Sequence, residues 1–443
     1  MKDSNSYAGG LFGGYAGTVT ECRISDCVFA GTLTSEGRYN GGFVGAMNSC
    51  PSLIIENSMV LGKVTNTIDN SCGFIGNANK KTVTMTNCRN EAAISTANEA
   101  AGLVGYINNN INTITGCENT ADITSTGGSA AGIIARFGVN AAKADVDKVI
   151  ITDCANSGNV YTDGTQAGGM LAYLVGGTEI KGCVNKGNIT SSNNKAGGIF
   201  GTSIKDTKNV CAISVENCIN YGTVSAPKVA AGIVGRLGRA VQIEGMNYMV
   251  KNCINYGDVK AYTAITYDKA TLYIGGIAGY FVSQSDGCTN VSNFTNEATA
   301  TVTMKADFAI AEGAATSDKP TVGGVFGLNS YNHLTNVTNE AQLIWAEEGK
   351  ATSSPAQNEL LVGGAIGQHY YGKINTLTNK GAIVFKADNR DHHHHLGGVI
   401  GQLGAYGHAV TGLYNSGDIT LEATCGTKRC RLGGLVGVLY RSD

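Results

Sequence analysis

The residues of this chain best suited to chemistry are its fourteen cysteines and a run of four histidines. Seven cysteines recur at one place in a segment of about thirty residues that repeats along the chain. Later repeats place Phe, Val and Leu there, which indicates an inward-facing position where an unpaired cysteine acts as a small hydrophobe. Parallel neighbouring Cβ vectors do not suit disulfide geometry, so we predict free buried thiols. These residues are Cys27, Cys88, Cys117, Cys154, Cys183, Cys218 and Cys253.

The remaining reactive groups give no clear catalytic or metal site. Cys425 and Cys430 share one loop, where a local disulfide is feasible. The histidine run, His392 to His395, offers good ligands for a transition metal. Adjacent residues of an extended chain point in opposite directions, so at most two of these rings face the same side. We therefore predict no metal, no cofactor and no catalytic residue.

Two linked phrases organise the chain into repeats. The first is two small residues, two mostly apolar residues, then Gly or Ala. The second is clearest as ENCINYGTV (216–224) and KNCINYGDV (251–259). The thirteen copies of the first phrase begin at Gly9, Gly41, Cys72, Ala101, Ala131, Gly168, Gly197, Ala231, Gly275, Gly323, Gly363, Gly397 and Gly433.

The second phrase carries an asparagine two residues after the cysteine position in ten of its twelve copies. Asparagine tolerates left-handed backbone at a corner, and stacked copies can form an amide ladder. These residues are Asn90, Asn119, Asn156, Asn185, Asn220, Asn255, Asn296, Asn339, Asn379 and Asn415.

Short β-rich runs separated by Gly and Asn corners do not fit helices, which need longer runs of 3.6-residue period. They predict an all-β parallel β-helix of about 13 turns, in which each strand pairs with its copy one turn away. We interpret residues 1–443 as a single domain, with regular turns over 1–258 and turns with long insertions over 259–443. Because neither end has an atypical capping repeat, we expect a fragment of a longer protein.

Composition excludes some classes of partner. Lys and Arg total 32 against 34 Asp and Glu, so the net charge of −2 gives no electrostatic footprint for nucleic acid. No apolar stretch is long enough to span a bilayer, and we expect no direct membrane insertion of this segment.

The paired phrases resemble the GLUG-motif repeats of bacterial surface proteins, including adhesin-like proteins and the accessory region of IgA-specific metallopeptidases. That resemblance implies a right-handed coil and an extended scaffold on the cell surface or in a secreted protein. A peptidase would need an HExxH zinc helix. The sequence contains no such motif.

The insertions after residue 259 suggest a binding surface, because insertions at one register of a solenoid stack on one face. They bring aromatic residues that can stack on sugars or anchor a protein partner: Tyr262, Tyr267, Tyr273 and Trp345. We therefore expect a non-catalytic scaffold for adhesion, binding a glycan or a host or cell-surface protein. Longer strands with a buried Trp345, a polysaccharide lyase or glycoside hydrolase, and a purely structural spacer are the alternatives.

Overall fold

The predicted parallel β-helix is confirmed: the chain is all-β, with four long parallel sheets. The computed structural model describes residues 6–14, 19–47, 50–108, 110–138, 147–203, 212–238, 249–267, 272–283, 288–310, 319–347, 359–387, 393–404, 406, 409–423 and 429–440. It describes the backbone alone at 262–267, 288–290, 305–310, 347, 387 and 423. Among these residues there is no helix long and apolar enough to cross a membrane.

The four sheets are numbered in the order in which one turn visits them. Sheet 1 has 13 strands and leads into the first phrase, and sheet 2, also with 13 strands, leaves it. Sheet 3 has 20 strands because most turns split it in two at the cysteine position, and sheet 4 has 12 strands that follow the asparagine. The described residues fall into two compact units that divide between Ile219 and Asn220, within the short strand Ile219–Asn220.

The first unit contains short strands in all four sheets. In sheet 1 they are Tyr7–Gly9, Tyr39–Gly41, Asn70–Cys72, Ala100–Ala101, Ala130–Ala131, Gln166–Gly168 and Lys195–Gly197. In sheet 2 they are Phe12–Gly14, Val44–Ala46, Ile75–Asn79, Val104–Asn108, Ile134–Gly138, Leu171–Leu174 and Phe200–Ser203. In sheet 3 they are Cys22–Ser25, Val28–Phe29, Ser52–Glu56, Met59–Val60, Thr82–Thr86, Arg89–Asn90, Ile111–Thr115, Glu118–Asn119, Lys148–Thr152, Ala155–Asn156, Gly177–Lys181, Val184–Asn185 and Ile213–Glu216. In sheet 4 they are Thr32–Ser35, Lys63–Asn66, Ala93–Thr96, Ile123–Ser125, Val160–Thr162 and Ile189–Ser191.

The second unit has longer strands, above all in sheets 3 and 4. In sheet 1 they are Val229–Ala231, Tyr273–Gly275, Thr321–Gly323, Glu359–Gly363, His393–Gly397 and Cys430–Gly433. In sheet 2 they are Val234–Leu237, Ala278–Val282, Phe326–Ser330, Ile366–Tyr370, Ile400–Gly404 and Val436–Tyr440. In sheet 3 they are Met249–Lys251, Ile254–Asn255, Cys288–Asn296, Asn332–Asn339, Ile374–Asn379 and Val410–Asn415. In sheet 4 they are Val224–Ser225, Val259–Tyr267, Thr301–Ile310, Gln342–Glu347, Ile383–Ala387 and Ile419–Ala423.

The cysteine column lies in the core, as its residue types predict. Cys88, Cys117, Cys154, Cys183, Cys218 and Cys253 are free and buried, and Cys27 is free and half-buried. In the first unit the thiols of Cys88, Cys117 and Cys154 each donate to the carbonyl two residues earlier, at 3.4, 3.4 and 3.3 Å. The column is therefore made of small apolar side chains whose weak donors are satisfied locally.

The asparagine column forms the amide ladder. In the first unit Nδ2 of Asn90 donates to Oδ1 of Asn119 at 2.7 Å. Asn119 continues to Asn156 and Asn156 to Asn185, each at 2.8 Å. In the second unit a ladder runs through Asn220, Asn255, Asn296, Asn339, Asn379 and Asn415, with steps of 2.7 to 3.1 Å. Most of these amides also donate to the carbonyl two residues later, so fully buried polar groups are paired, as burial requires.

The ladder explains why the second residue of the first phrase is glycine. A Cβ built on Gly102 would lie 2.6 Å from Cγ of Asn119 and would also overlap the carbonyl oxygen of Gly132. The same contact recurs between Gly364 and Asn379 in the second unit, at 2.5 Å. The two phrases are thus linked physically, because the asparagine side chain occupies the space that a Cβ would fill.

The left-handed corner is not at the ladder asparagine, which corrects our expectation. It lies three residues earlier, directly before the cysteine position, and φ there is between 48° and 67° in all twelve turns. Asn, Asp and Gly dominate this column because they tolerate positive φ. Its members are Asp26, Asn57, Asn87, Gly116, Asp153, Gly182, Asn217, Asn252, Asn293, Asn336, Thr376 and Gly412.

Candidate functional site

Of the four aromatic residues of the predicted ridge, the structure describes the side chains of Trp345 and Tyr273, and both are buried. Trp345 is fully buried, and its ring stacks on Phe385 with centroids 5.8 Å apart. It lies two residues after the core residue Leu343 on one strand, and alternate residues of a strand share a face. Trp345 is therefore a core residue, which corrects its assignment to a ligand-binding surface.

Tyr273 is also buried, by neighbouring side chains of sheets 1 and 2 and not in the core. Only 6% of it is exposed, in an apolar cluster with Val229, Val282 and Leu328, and its ring lies 5.1 Å from that of Tyr280. This leaves too little of its ring for a ligand to stack on, which again corrects the prediction. Tyr262 and Tyr267 belong to the strand Val259–Tyr267, and their side chains lie outside the described residues.

Part of the added length after residue 259 is longer strand. In sheet 4 the strand Val224–Ser225 has 2 residues, whereas Val259–Tyr267 has 9 and Thr301–Ile310 has 10. The alternative interpretation of longer strands with a buried tryptophan therefore agrees with the structure. The rest of the inserted sequence lies outside the described residues.

A row of large polar side chains lies on sheet 2 of the first unit, and we call Tyr106, Arg136 and Tyr173 the Tyr–Arg row. Each residue follows directly on the last small residue of a first phrase, in AGLVGY, AGIIAR and GGMLAY. Tyr106 pairs in register with Arg136, and Arg136 with Tyr173. Their side chains are half-buried, and they succeed one another on three neighbouring strands.

The guanidinium group of Arg136 lies between the two tyrosine rings. Its central carbon is 5.4 Å from the ring centroid of Tyr106 and 4.9 Å from that of Tyr173. Both distances are within the range of cation–π attraction. Because the strand register fixes all three backbones, the charged group is held between two aromatic faces with 41% of its side chain exposed.

Glu99 approaches the row from the residue directly before the sheet 1 strand Ala100–Ala101. Its Oε1 is 3.5 Å from Nη1 of Arg136, and only 8% of Glu99 is exposed. Burial raises the pKa of Glu99, while the positive charge of Arg136 lowers it. The backbone N–H of Glu99 donates to Oδ1 of Asn70 at 3.1 Å, which anchors this residue to the preceding turn.

A second carboxylate lies beside Glu99. Oδ2 of Asp69 is 3.8 Å from Nε of Arg38, and its Oδ1 accepts a hydrogen bond from Nδ2 of Asn98 at 3.2 Å. Burial raises the pKa of Asp69, and the negative charge of Asp69 in turn raises the pKa of Glu99. The guanidinium of Arg38 also lies 5.3 Å from the ring of Tyr39.

The second unit carries its own arginine–tyrosine pair at the equivalent position. Arg236 follows the phrase AGIVG and Tyr280 the phrase GGIAG, and the two residues pair in register on sheet 2. The guanidinium carbon of Arg236 lies 4.7 Å from the ring centroid of Tyr280. The position after the first phrase therefore places arginine against tyrosine in both units.

Three further tyrosines of the second unit stack at a corner. The rings of Tyr331 and Tyr371 are 4.3 Å apart and those of Tyr371 and Tyr406 are 4.2 Å apart, all nearly parallel. All three residues have positive φ, of 62°, 51° and 39°. Because each ring covers its neighbour, this stack offers mainly edges to a ligand.

The histidine run divides between the two faces of a sheet 1 strand, as alternation predicts. The ring of His394 packs on the edge of Phe385 at 5.2 Å, and its Nδ1 is 3.5 Å from Sγ of Cys430. His395 is buried on the other face, with Nε2 3.9 Å from Oε1 of Glu359. In the described part of the chain no group of three or more His, Cys, Asp or Glu is placed to hold a metal ion.

The local disulfide that the sequence allows between Cys425 and Cys430 involves one described residue. Cys430 is disulfide-bonded, whereas Cys425 lies outside the described residues. The pairing of these two cysteines is left open, as it is by the sequence.

Sequence reasoning missed the Tyr–Arg row although a signal was present. Most residues of the first phrase are small or apolar, so a large polar side chain at the next position is unusual for a core strand. In five of the thirteen repeats that position holds a tyrosine or an arginine, namely Tyr106, Arg136, Tyr173, Arg236 and Tyr280. The prediction looked instead for the aromatics of the longest insertions.

Comparison with known proteins adds no relative to this description. No family model, no curated protein and no solved structure matches the chain. The candidate site therefore rests on its own geometry, namely aromatic faces, a stacked cation and two partly buried carboxylates in the first unit.

Proposed function

We propose that this protein is a non-catalytic repeat scaffold that binds glycans through the Tyr–Arg row. The observation that supports this most is the arrangement of Tyr106, Arg136 and Tyr173 beside Glu99. Glycan sites combine apolar ring faces, which stack on sugars, with a few fixed polar groups that accept or donate hydrogen bonds. Arg136 covers one face of each tyrosine, and the smaller residues Asn77 and Thr202 occupy the paired positions on the opposite sides. The row therefore offers the outer ring face of each tyrosine and a fixed polar group on a rigid parallel sheet.

The scaffold suits this role because its strands hold the row in place. Every residue of the row is on a strand whose register is fixed by the neighbouring turns, and the paired amides of the ladder lie in the same unit. Sites on regular elements are positioned more accurately than sites on loops. As part of the same proposal, we assign the protein to the cell surface or to secretion, on the resemblance of its repeats to those of surface proteins.

The test is a glycan array probed with the purified chain and two variants of the row. Tyr106→Ala and Tyr173→Ala remove the ring faces and should each reduce binding about fivefold or more, since one aromatic stacking contact contributes about 1 kcal/mol. Tyr161→Ala, an exposed tyrosine of the same unit, is the matched control and should bind as the parent does. Equal binding by all four proteins would contradict the proposal, and so would the absence of any glycan ligand.

A polysaccharide-degrading enzyme is the second candidate, favoured by one observation. Asp69 and Glu99 are two carboxylates of raised pKa, each beside an arginine. A raised pKa favours the protonated form of a carboxyl group, which is the form that serves as a general acid. Release of new sugar ends from any glycan bound by the array, lost in both Asp69→Asn and Glu99→Gln, would establish the enzyme and overturn the non-catalytic assignment.

A structural spacer is the outcome if no ligand is found. It predicts that the row can be replaced without effect on anything but local stability. A binding-deficient variant that leaves the unfolding midpoint unchanged would argue against it.

A further inference from the structure

We infer that the glycans bound by this protein are acidic, and that Arg136 in the first unit and Arg236 in the second unit are two separate positions that each receive a carboxylate group. This inference rests on the proposed function and names the ligand class for it. Uronic and sialic acids are the sugars that carry such a group.

Arg136 has hydrogen-bond donors that the described part of the protein does not use. A guanidinium has five N–H donors. Among the described residues Arg136 makes one hydrogen bond, from Nη1 to Glu99 at 3.5 Å, and its buried Nε has no hydrogen-bond partner. Because Nε is enclosed, a ligand would meet the exposed part of the side chain, which is 41% of it, and would accept from the Nη donors that Glu99 leaves unused.

The guanidinium of Arg136 is held in place before a ligand binds. With Tyr106 on one side and Tyr173 on the other, at 5.4 and 4.9 Å, Arg136 has lost much of its side-chain freedom. Prior ordering reduces the entropic cost of binding. An exposed lysine or a free arginine would offer no such advantage.

The shape of a guanidinium group favours a carboxylate as its ligand. A planar guanidinium matches a planar carboxylate through two parallel hydrogen bonds, which a neutral hydroxyl cannot reproduce. Glu99 already places one carboxylate oxygen next to Nη1. A ligand carboxylate would compete with Glu99 for the same charge, so the glutamate works against the ligand that we infer.

The second unit also holds an arginine against a tyrosine at this position of the repeat. Arg236 stacks on Tyr280 at 4.7 Å, and its Nε is likewise buried without a hydrogen-bond partner among the described residues. Two arginines held against a tyrosine at the same position of the repeat favour a shared role in binding over a chance surface charge.

The experiment measures binding of three polymers by calorimetry at fixed salt: polygalacturonate, its fully methyl-esterified form and dextran sulfate. The parent protein should bind polygalacturonate at least tenfold more tightly than the ester. The double variant Arg136→Lys with Arg236→Lys keeps both charges but loses the planar fork, and should bind polygalacturonate at least tenfold more weakly. Glu99→Gln removes the competing carboxylate and should bind severalfold more tightly.

Two outcomes would overturn the inference and leave the proposed function standing. One is equal binding of the acid and the ester. The other is unchanged binding by the double lysine variant together with tight binding of dextran sulfate, which would indicate attraction of anions in general. Far-ultraviolet circular dichroism of each variant verifies the fold, and Arg23→Lys, an exposed arginine on sheet 3, is the control for a simple loss of guanidinium.

Discussion

At the scale of single residues, the neighbours of the glycine at the second position of the first phrase leave no room for a side chain. In all but the last turn of the second unit this glycine faces a ladder asparagine and a backbone carbonyl. At Gly364, for example, an added Cβ would lie 2.5 Å from Cγ of Asn379. Gly434 holds the same place in the final turn and has nothing within 4 Å. The chain therefore provides its own control.

We predict that Gly364→Ala lowers the free energy of unfolding by at least about 2 kcal/mol, because the added methyl overpacks a rigid site. Gly434→Ala should change it by less than about 0.5 kcal/mol. Urea unfolding followed by circular dichroism measures both. Similar values for the two variants would contradict the link between the phrases.

Thr376 is the one β-branched residue in the left-handed corner column, with φ of 67°. A β-branched side chain is strained in this region, whereas Asn tolerates it. We expect Thr376→Asn to raise the free energy of unfolding by about 1 kcal/mol. Thr378→Asn, two residues later on the same strand, should give no gain, and a gain there as large as at Thr376 would argue against corner strain as the cause.

At the scale of the strand, Trp345 illustrates how alternation decides burial. It shares a face with Leu343 on the strand Gln342–Glu347, and both are fully buried. As the only tryptophan of the chain, it reports on the core of the second unit.

We predict that Trp345→Ala costs about 3–5 kcal/mol in unfolding free energy, the usual range for deleting a buried aromatic ring. Tyr414→Ala removes a ring that is 59% exposed and should cost less than about 0.5 kcal/mol. In the parent protein Trp345 emission should be blue-shifted and should not respond to glycans. A glycan-dependent change in that emission would restore Trp345 as a ligand contact.

The sheet 1 strand His393–Gly397 makes the fold sensitive to acid. Burial lowers the pKa of His395 from 6.5 to about 4, against the opposing effect of Glu359, and Arg431, Lys319 and His393 lower it further. Between these values the unfolded chain binds a proton that the native chain excludes, so stability decreases as the pH falls from about 6.5 to about 4.

We expect His395→Leu to reduce the loss of stability between pH 6.5 and pH 4, because leucine does not titrate. The position should accept leucine, since Leu361 occupies the paired position one turn earlier. Unfolding midpoints measured from pH 4 to pH 8 test this. Above pH 7 the two proteins should have the same slope. Equal slopes below pH 6.5 would exclude His395 as the source.

At the scale of the whole molecule, the repeat made the fold predictable and left the site unpredictable. Stacked copies of one residue pattern determine which neighbours pair, so the thirteen phrases were sufficient to predict parallel sheets and an amide ladder. We predicted the left-handed corner three residues too late in the chain. The second phrase carries asparagine both directly before the cysteine position and two residues after it, so the residue type does not distinguish the two positions. Only the backbone distinguishes Asn87, with φ of 52°, from Asn90.

The candidate site could not be predicted because a repeat pattern does not show which outward position is left uncovered. Insertions drew the prediction to Tyr273 and Trp345. Strand alternation buries Trp345, and an apolar cluster of neighbouring side chains covers Tyr273. The Tyr–Arg row arises instead from substitutions at one outward position of sheet 2, where register brings Arg136 between two tyrosines. Recognising it requires the neighbours of each residue in adjacent turns.

The most direct test of glycan binding by the Tyr–Arg row is tyrosine nitration with and without polygalacturonate, read peptide by peptide by mass spectrometry. We predict that the glycan protects Tyr106 and Tyr173 from nitration. The exposed tyrosines Tyr221 and Tyr414 should react equally in both samples. Unchanged nitration of Tyr106 and Tyr173 under conditions where the glycan is bound would contradict the account.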